Sequence, residues 1–259
     1  MTIHILATGT SRGIGRAIAT AFDQDDVVLV GHASGASGVA AADRHDERTR
    51  PDGSAGADGA GATIVADLDQ ADAAGALWDA ALARLDGRID VLINNAGIFE
   101  AMPLDAPEAE WVAGWERTMR INLTASAELC RRAILHWQAR GSGGRIVNVA
   151  SRAAYRGDSP AHWHYAASKA GMVAMTKTIA RGYAREDILA FAVCPGFTMT
   201  GMAQEYLAGR GGDALLTDIP IGRVAQPDEI ATTVRFLALD APGSMTGAIL
   251  DINGASYVR

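Results

Sequence analysis

Short runs of β-branched and other apolar residues recur along the chain, separated by longer segments with helical periodicity. The runs are Ile3 to Thr8, Val27 to Val30, Thr63 to Ala66, Ile89 to Asn94, Arg145 to Val149, Leu189 to Cys194 and Ala248 to Ile252. Strands that read as continuous apolar stretches are usually covered on both faces. Helices alternating with them imply βαβ crossovers, and the pattern predicts an α/β fold: a doubly wound parallel seven-stranded sheet with helices on both faces. Ligands of such sheets bind beyond the carboxyl ends of the strands, so the segments after each run are where chemistry belongs.

Gly35 to Gly61 breaks the rhythm. It is rich in Gly, Ala, Asp and Arg, with the mixed-charge run Asp43 to Arg50 ahead of Pro51 and Gly53. This reads as a poorly packed helix and a surface loop, with a lid or partner site as the functional alternative. Neither an internal repeat nor an interdomain linker is visible, so one domain over residues 1–259 is expected.

The net charge of -7 excludes the basic stripe that phosphate backbones require. Cys130 and Cys194 are the only cysteines and stand outside metal-ligand spacing, so no metal is expected and a reducing, cytoplasmic setting is. Met1 leads directly into Ile3 to Ala7 without the basic and apolar regions of an export signal. No apolar run approaches the ~20 residues of a membrane-spanning helix. The expected partner is a small molecule, not a nucleic acid or a membrane.

Directly after the first run stands Thr8-Gly9-Thr10-Ser11-Arg12-Gly13-Ile14-Gly15, followed by the helical pattern Arg16 to Phe22. Glycines permit a tight turn, and a backbone without Cβ lets a pyrophosphate approach a helix N-terminus, where unpaired N–H groups favour an anion. Tyr165-Ala166-Ala167-Ser168-Lys169 sets a phenol and an amine four residues apart, on one face of a helix. The chain has just two lysines, Lys169 and Lys177, against 21 arginines. A lysine kept where arginine is the habit points to a need for a compact ammonium.

The spacing Thr-Gly-x-x-x-Gly-x-Gly resembles the single-domain short-chain dehydrogenase/reductases, in particular the 3-oxoacyl-carrier-protein reductases. The likeness extends over nearly the whole chain. Asp67-Leu68 after the third strand resembles the family's adenine-ring contact, and Asn94-Asn95-Ala96-Gly97 its Asn-Asn-Ala-Gly motif. Asn122 stands where the family keeps a helix Asn, and Cys194-Pro195-Gly196 with Thr198 and Thr200 is similar to its nicotinamide-side segment. The resemblance implies a Rossmann-like oxidoreductase using NADP or NAD on an alcohol or carbonyl substrate. Its cofactor would lie on Gly9, Ser11, Arg12, Gly13, Ile14, Gly15, His32, Ser34, Asp67, Leu68, Asn95, Ala96, Gly97, Tyr165, Lys169, Pro195, Gly196, Thr198 and Thr200. The catalytic set would be Asn122, Ser151, Tyr165 and Lys169. The resemblance also implies a tetramer or dimer built partly on the long helices around Glu108 to Arg140 and Tyr165 to Arg185.

In these roles Tyr165 is the acid/base, Ser151 orients the substrate oxygen, and Asn122 holds a water joining Lys169 to solvent. A free Tyr has a pKa of ~10, so work near neutral pH asks for ~2 to 3 units of phenolate stabilisation. One unit charge at ~4 Å is worth about 4 kcal/mol at an effective dielectric near 20, so Lys169 with the nicotinamide cation is sufficient. Ser151 and Tyr165 are 14 residues apart, one more than the family's usual gap. Ser159 is too close to Tyr165 to come from the strand end, which places the extra residue in the loop Arg152 to His164. That loop, the segment after Gly97 and Phe197 to Ile219 are the expected substrate determinants.

Val27 to Val30 is followed by Gly31-His32-Ala33-Ser34. Enzymes selective for the unphosphorylated cofactor place a carboxylate at the end of the second strand, and none stands at Gly31. NADP is therefore the expected preference; the resemblance implies a contact of Arg12 with the 2′-phosphate, with His32 and Ser34 adding hydrogen bonds. Two alternatives stand beside this reading. One is a catalytically silent cofactor-binding sensor or scaffold, although such relatives typically lose the Tyr or Lys. The other is an epimerase or dehydratase, for whose sugar-nucleotide domain the stretch after Pro195 leaves little room.

Overall fold

Neighbouring residues of each central strand enter different cores, which is why the strands read as unbroken apolar runs. In the computed structural model, which describes residues 2–23, 26–36, 38, 63–200 and 216–259, Leu6, Leu92, Ile146 and Ala190 face one side of the sheet. Ile5, Ile93, Val147 and Phe191 face the other. Fully burying a Leu, Ile, Val or Phe side chain contributes about 1.5–3 kcal/mol, so a polar group replacing one of these side chains on either face is costly unless it finds a hydrogen-bond partner.

The strands are β1 (Ile3–Ala7), β2 (Val27–Ala33), β3 (Thr63–Val65), β4 (Val91–Asn94), β5 (Gly144–Val149), β6 (Ile188–Pro195) and β7 (Ile249–Ile252). They form one parallel sheet in the order β3-β2-β1-β4-β5-β6-β7, a Rossmann-like arrangement. The described helices of at least four residues are α1 (Gly13–Ala21), α2 (Ala73–Arg84), α3 (Glu108–Met119), α4 (Ala125–Arg140), α5 (Ala153–Arg156), α6 (Trp163–Tyr183) and α7 (Pro227–Leu239). Helices α2, α4 and α6 cover one face through Leu77, Leu129 and Ile179. Helices α1 and α7 cover the other through Ile18, Ile230 and Val234. The strand order reverses direction between β1 and β4, so the crevice of a doubly wound sheet opens beyond Ala7 and Asn94.

Two boundaries differ from the sequence pattern for tertiary reasons. Strand β2 continues through Gly31 and His32 to Ala33, because these residues pair with Thr63, Ile64 and Val65 of β3. Strand β4 starts at Val91 and not at Ile89, whose carbonyl accepts the Trp137 indole N–H at 2.7 Å. Between α3 and α4 the helix widens into a π-turn over Arg120–Thr124. Most of Gly35 to Gly61, and positions 201–215 within the expected substrate segment, lie outside the described residues.

No helix among the described residues is long and apolar enough to cross a membrane. Cys130 and Cys194 are buried free thiols.

Candidate active site

The turn between β1 and α1 is built by backbone conformations that glycine alone adopts without strain. Gly9 has φ +70° and Gly13 +54°. A Cβ at Gly15 would fall 1.8 Å from the Gly9 carbonyl oxygen. Helix α1 starts without a side-chain cap or an acidic residue in its first turn, so its leading N–H groups and dipole are left for an external anion. Ser11 and Ile14 complete this turn at half-buried positions. The donors and the missing Cβ atoms fit a pyrophosphate.

The turn is tied to the loop after β4 by Thr8. Its buried hydroxyl oxygen accepts the N–H groups of Asn95 and Ala96, each at 3.0 Å. The Asn95 amide returns two bonds, to the Thr8 and Gly9 carbonyls. Thr8→Val keeps the shape and strands two N–H groups, so it is expected to destabilise the protein by about 2–5 kcal/mol. A denaturant midpoint equal to that of the unaltered chain would show that Thr8 has no such part.

At the end of β2 the structure shifts the expected positions. Gly31 lies inside the strand opposite Ala7, and a Cβ there would meet the Thr10 hydroxyl at 2.4 Å, so no carboxylate fits at this residue. The strand ends at Ala33 and is followed by Ser34, still without an acidic side chain; Ser34 is exposed. His32 is 2% exposed and turned inward, with Nδ1 at 3.1 Å from the Gly9 N–H and Nε2 at 2.8 Å from the Ala66 carbonyl. Both ring nitrogens are thus in use, which corrects the expectation that His32 hydrogen-bonds a 2′-phosphate. Arg12 is exposed at the N-cap of α1. Asp67 is exposed and accepts from the Asp69 N–H and the Gln70 amide, whereas the Leu68 side chain belongs to the core. Only the Leu68 backbone remains for an adenine ring.

The proton-handling groups meet beyond β5. Ser151 follows the strand, accepts the Ala153 N–H at 3.1 Å, and stands near enough to the Tyr165 phenol to favour its ionised form. The 14-residue gap is absorbed by helix α5 and Gly157, whose φ is +76°. Tyr165 and Lys169 share one face of α6. Lys169 Nζ lies 5.9 Å from the Tyr165 ring centre and donates to the Val149 carbonyl at 2.8 Å.

Burial dominates the electrostatics. It holds the Tyr165 phenol above its ordinary pKa, with the Ser151 hydroxyl pulling the other way. It also pulls Lys169 down to about 8. In the free protein the Lys169 ammonium is itself desolvated, and its donated bond goes to the Val149 carbonyl.

Asn122 sits in the π-turn, fully buried. Its amide accepts the Ile98 N–H at 2.8 Å and donates to the Ile98 carbonyl and the Ser168 hydroxyl. Its side chain is thus committed to the loop after β4, and the expected water has only the backbone to bind. A Cβ at Gly97 would stand 3.3 Å from the Asn122 Oδ1 and 3.4 Å from Lys169 Nζ, so this glycine lets the two groups close in.

The segment after β6 completes the crevice. Gly196 packs so tightly that a Cβ would fall 2.7 Å from the Asn253 Cα, and its N–H donates to Ile252. Thr198 donates to the Gly196 carbonyl, and Thr200 reaches back to within contact of Gly13. Pro195 accepts the Arg152 N–H at 2.9 Å, joining the two strand ends.

Several neighbours were not singled out by motif. Phe99 stacks on His162 at 3.9 Å and meets the Tyr165 ring edge-on at 4.8 Å, forming one wall. His164 anchors the Glu100 carbonyl at 3.1 Å. Arg152 and Arg156 turn away toward Asp218, and Tyr155 toward Arg259. Beneath the site Asn94 donates to the Asn148 oxygen and Asn148 to the Thr176 hydroxyl, a buried polar ladder across β4, β5 and α6.

A family profile described as enoyl-(acyl carrier protein) reductase matches residues 9–255. A 3-oxoacyl-[acyl-carrier-protein] reductase of Synechocystis is 35% identical, over 96% of this chain and 94% of its own. A 3beta-hydroxysteroid dehydrogenase of Eggerthella lenta is 34% identical over 96% and 92%. A cis-4-hydroxycyclohexanecarboxylate dehydrogenase of Sinomonas cyclohexanicum is 37% identical over 96% and 94%. With an uncapped glycine turn at the sheet's reversal point and a Ser-Tyr-Lys group beside it, the chain belongs to the short-chain dehydrogenase/reductase family, NAD(P)-dependent enzymes that act on alcohol and carbonyl compounds.

Proposed function

We propose that this chain is an NADP-preferring reductase or dehydrogenase in which Tyr165 moves the proton of the substrate oxygen. The observation that carries this reading is the convergence of Ser151, Tyr165 and Lys169 on one point beyond β5, beside the glycine turn. The nicotinamide, when bound, supplies or accepts the hydride. Ser151 holds the substrate oxygen against the phenol and donates as negative charge grows there. Tyr165 gives its proton to that oxygen in reduction and takes it back in oxidation. Lys169 holds the nicotinamide ribose, and its charge joins that of the oxidised ring to bring the phenol down from its raised free-protein value. The Asn122 backbone carbonyl, in a π-turn that loosens the helical ladder, holds the water that links Lys169 to solvent.

The cofactor spans the crevice from Ser34 and Asp67, past Gly9, Ser11, Gly13, Ile14 and Gly15, to Asn95, Ala96, Gly97, Pro195, Gly196, Thr198 and Thr200. One domain does this work, in a cytoplasmic homo-oligomer. Val112, Leu135 and Trp163 support the oligomer, since they leave α3, α4 and α6 with exposed apolar side chains. The substrate wall of Phe99, His162 and Tyr165 is aromatic, but three relatives with unlike substrates show that the motifs alone do not choose one. A panel of carbonyls and alcohols, assayed with each nicotinamide cofactor by absorbance of its reduced form, tests the proposal. Absence of turnover across every carbonyl class with both cofactors would refute it.

The preference for NADP rests on Arg12 at the N-cap of α1 and Ser34 after β2, both exposed, and on a β2 terminus that carries no carboxylate to repel a phosphate. A charge-assisted contact is worth ~1.5 to 3 kcal/mol, or roughly 10- to 150-fold in affinity. Arg12→Ala is expected to lower the NADP:NAD ratio of catalytic efficiency by that factor. An unchanged ratio, or a parent enzyme favouring NAD, would overturn the assignment.

A further inference from the structure

Among the described residues, the His32 ring is the one side chain that bonds both loops of the cofactor half: the Gly9 N–H at Nδ1 and the Ala66 carbonyl at Nε2. The partners determine its protonation. A backbone N–H only donates, so Nδ1 carries no proton; a carbonyl only accepts, so Nε2 does. The ring is neutral and in the Nε2–H tautomer. Its backbone is gripped as well, since the Thr10 N–H donates to the His32 carbonyl at 2.9 Å and the His32 N–H to the Thr10 hydroxyl at 3.1 Å. Gly9, meanwhile, stands so close to Ala96 that a Cβ would lie 2.8 Å from its Cα. The turn therefore cannot move toward Ala96 to absorb the loss of this bond.

We propose that His32 is a positioning residue for the cofactor: its neutral ring holds the phosphate-side turn and the adenine-side loop at one spacing, and its protonation unseats Gly9, so cofactor affinity falls in acid. Protonation would set two donors, Nδ1–H and the Gly9 N–H, face to face at the present 3.1 Å. Burial pushes His32 below its ordinary value, with the Ala66 carbonyl offsetting part of that, so the transition lies on the acid side of 6.5. Among the described residues, the charged side chains on the segments packed against the ring are Arg12 on the turn and Asp67 and Asp69 after β3. Strand β3 itself contributes Thr63, Ile64 and Val65, which carry no charge.

The inference rests on the reading of Gly9–Gly15 and Asp67 as the cofactor's seat. Its test is a binding titration of the full chain with reduced NAD, followed by nicotinamide fluorescence between pH 5 and 8. The unphosphorylated cofactor is used because a 2′-phosphate titrates near pH 6 on its own. If only the neutral form binds, the dissociation constant rises by about tenfold per pH unit below the His32 pKa. His32→Gln, whose amide both accepts and donates but does not titrate, is expected to bind like the parent at pH 8 and to lack the acid limb. His32→Leu is expected to bind at least tenfold more weakly at pH 8. An acid limb that persists in His32→Gln overturns the proposal, as does parental affinity in His32→Leu. If His32→Leu does not fold, the glutamine variant decides alone. A parent chain that binds neither NAD nor NADP at any pH would instead refute the cofactor seat, and the role of His32 with it.

Discussion

Tyr165→Phe is expected to lower turnover by at least ~100-fold, the low end of what a positioned acid/base group contributes, while cofactor affinity stays near that of the parent. The substitution removes one hydroxyl and keeps the ring that packs edge-on against Phe99. Ser151 loses a neighbouring hydroxyl but retains the Ala153 N–H. Steady-state rates together with a separate fluorescence titration separate the two effects, and a Phe variant with near-normal turnover would remove Tyr165 from the mechanism. The pH profiles should differ by direction. Because burial holds the phenol above its ordinary value, reduction keeps its proton donor through neutral pH, whereas oxidation gains rate as pH rises.

Lys169→Met is expected to damage both binding and turnover, since it removes the proposed ribose contact together with the charge. It should also change the pH dependence of folding, in a direction opposite to that of an ordinary ion pair. The folded-state pKa of about 8 lies below the usual 10.5, so the folded chain binds fewer protons than the unfolded one between these values. The penalty for burying the ammonium, on the order of 3 kcal/mol from that difference, is full below pH 8 and gone above 10.5. The parent should therefore gain stability across that window relative to Lys169→Met. The absolute stabilities are less informative, because the variant also strands the Val149 carbonyl, at about 1–3 kcal/mol. Parallel curves of unfolding free energy against pH for the two proteins would show that Lys169 is not held at a lowered pKa.

Much of this was legible in the residues. Apolar runs located all seven strands, since each must fill two cores at once, and the glycine turn and the Tyr165/Lys169 spacing survive as local patterns. What escaped the sequence depends on burial and on partners distant along the chain. Gly31 looked like the end of β2, but pairing with β3 carries the strand through His32. His32 looked like a surface donor for a phosphate and is an interior brace instead. Lys169 carries no mark in the sequence of its lost hydration, and the Asn94–Asn148–Thr176 ladder joins residues that no local window contains. Leu68 shows the same limit, because its neighbour Asp67 faces solvent while its own side chain fills the core.

The order in which the strands lie has a consequence for how the chain reaches this state. Strand β1 is made first but pairs centrally with β4, so that His4 and Asp90 meet across 86 residues. Closing a loop of that length is entropically costly and slows folding relative to hairpin-rich chains. Until it closes, the apolar edges of β1 and β4 are open to other chains, the condition under which nascent proteins aggregate or engage chaperones. The same seam carries Thr8, Asn95 and the glycine turn, so the proposed cofactor seat exists only once this pairing is made. A ligand that binds only the closed form adds RT ln(1 + [L]/Kd) to its stability, so a nicotinamide cofactor seated as proposed would stabilise the paired state in proportion to its concentration.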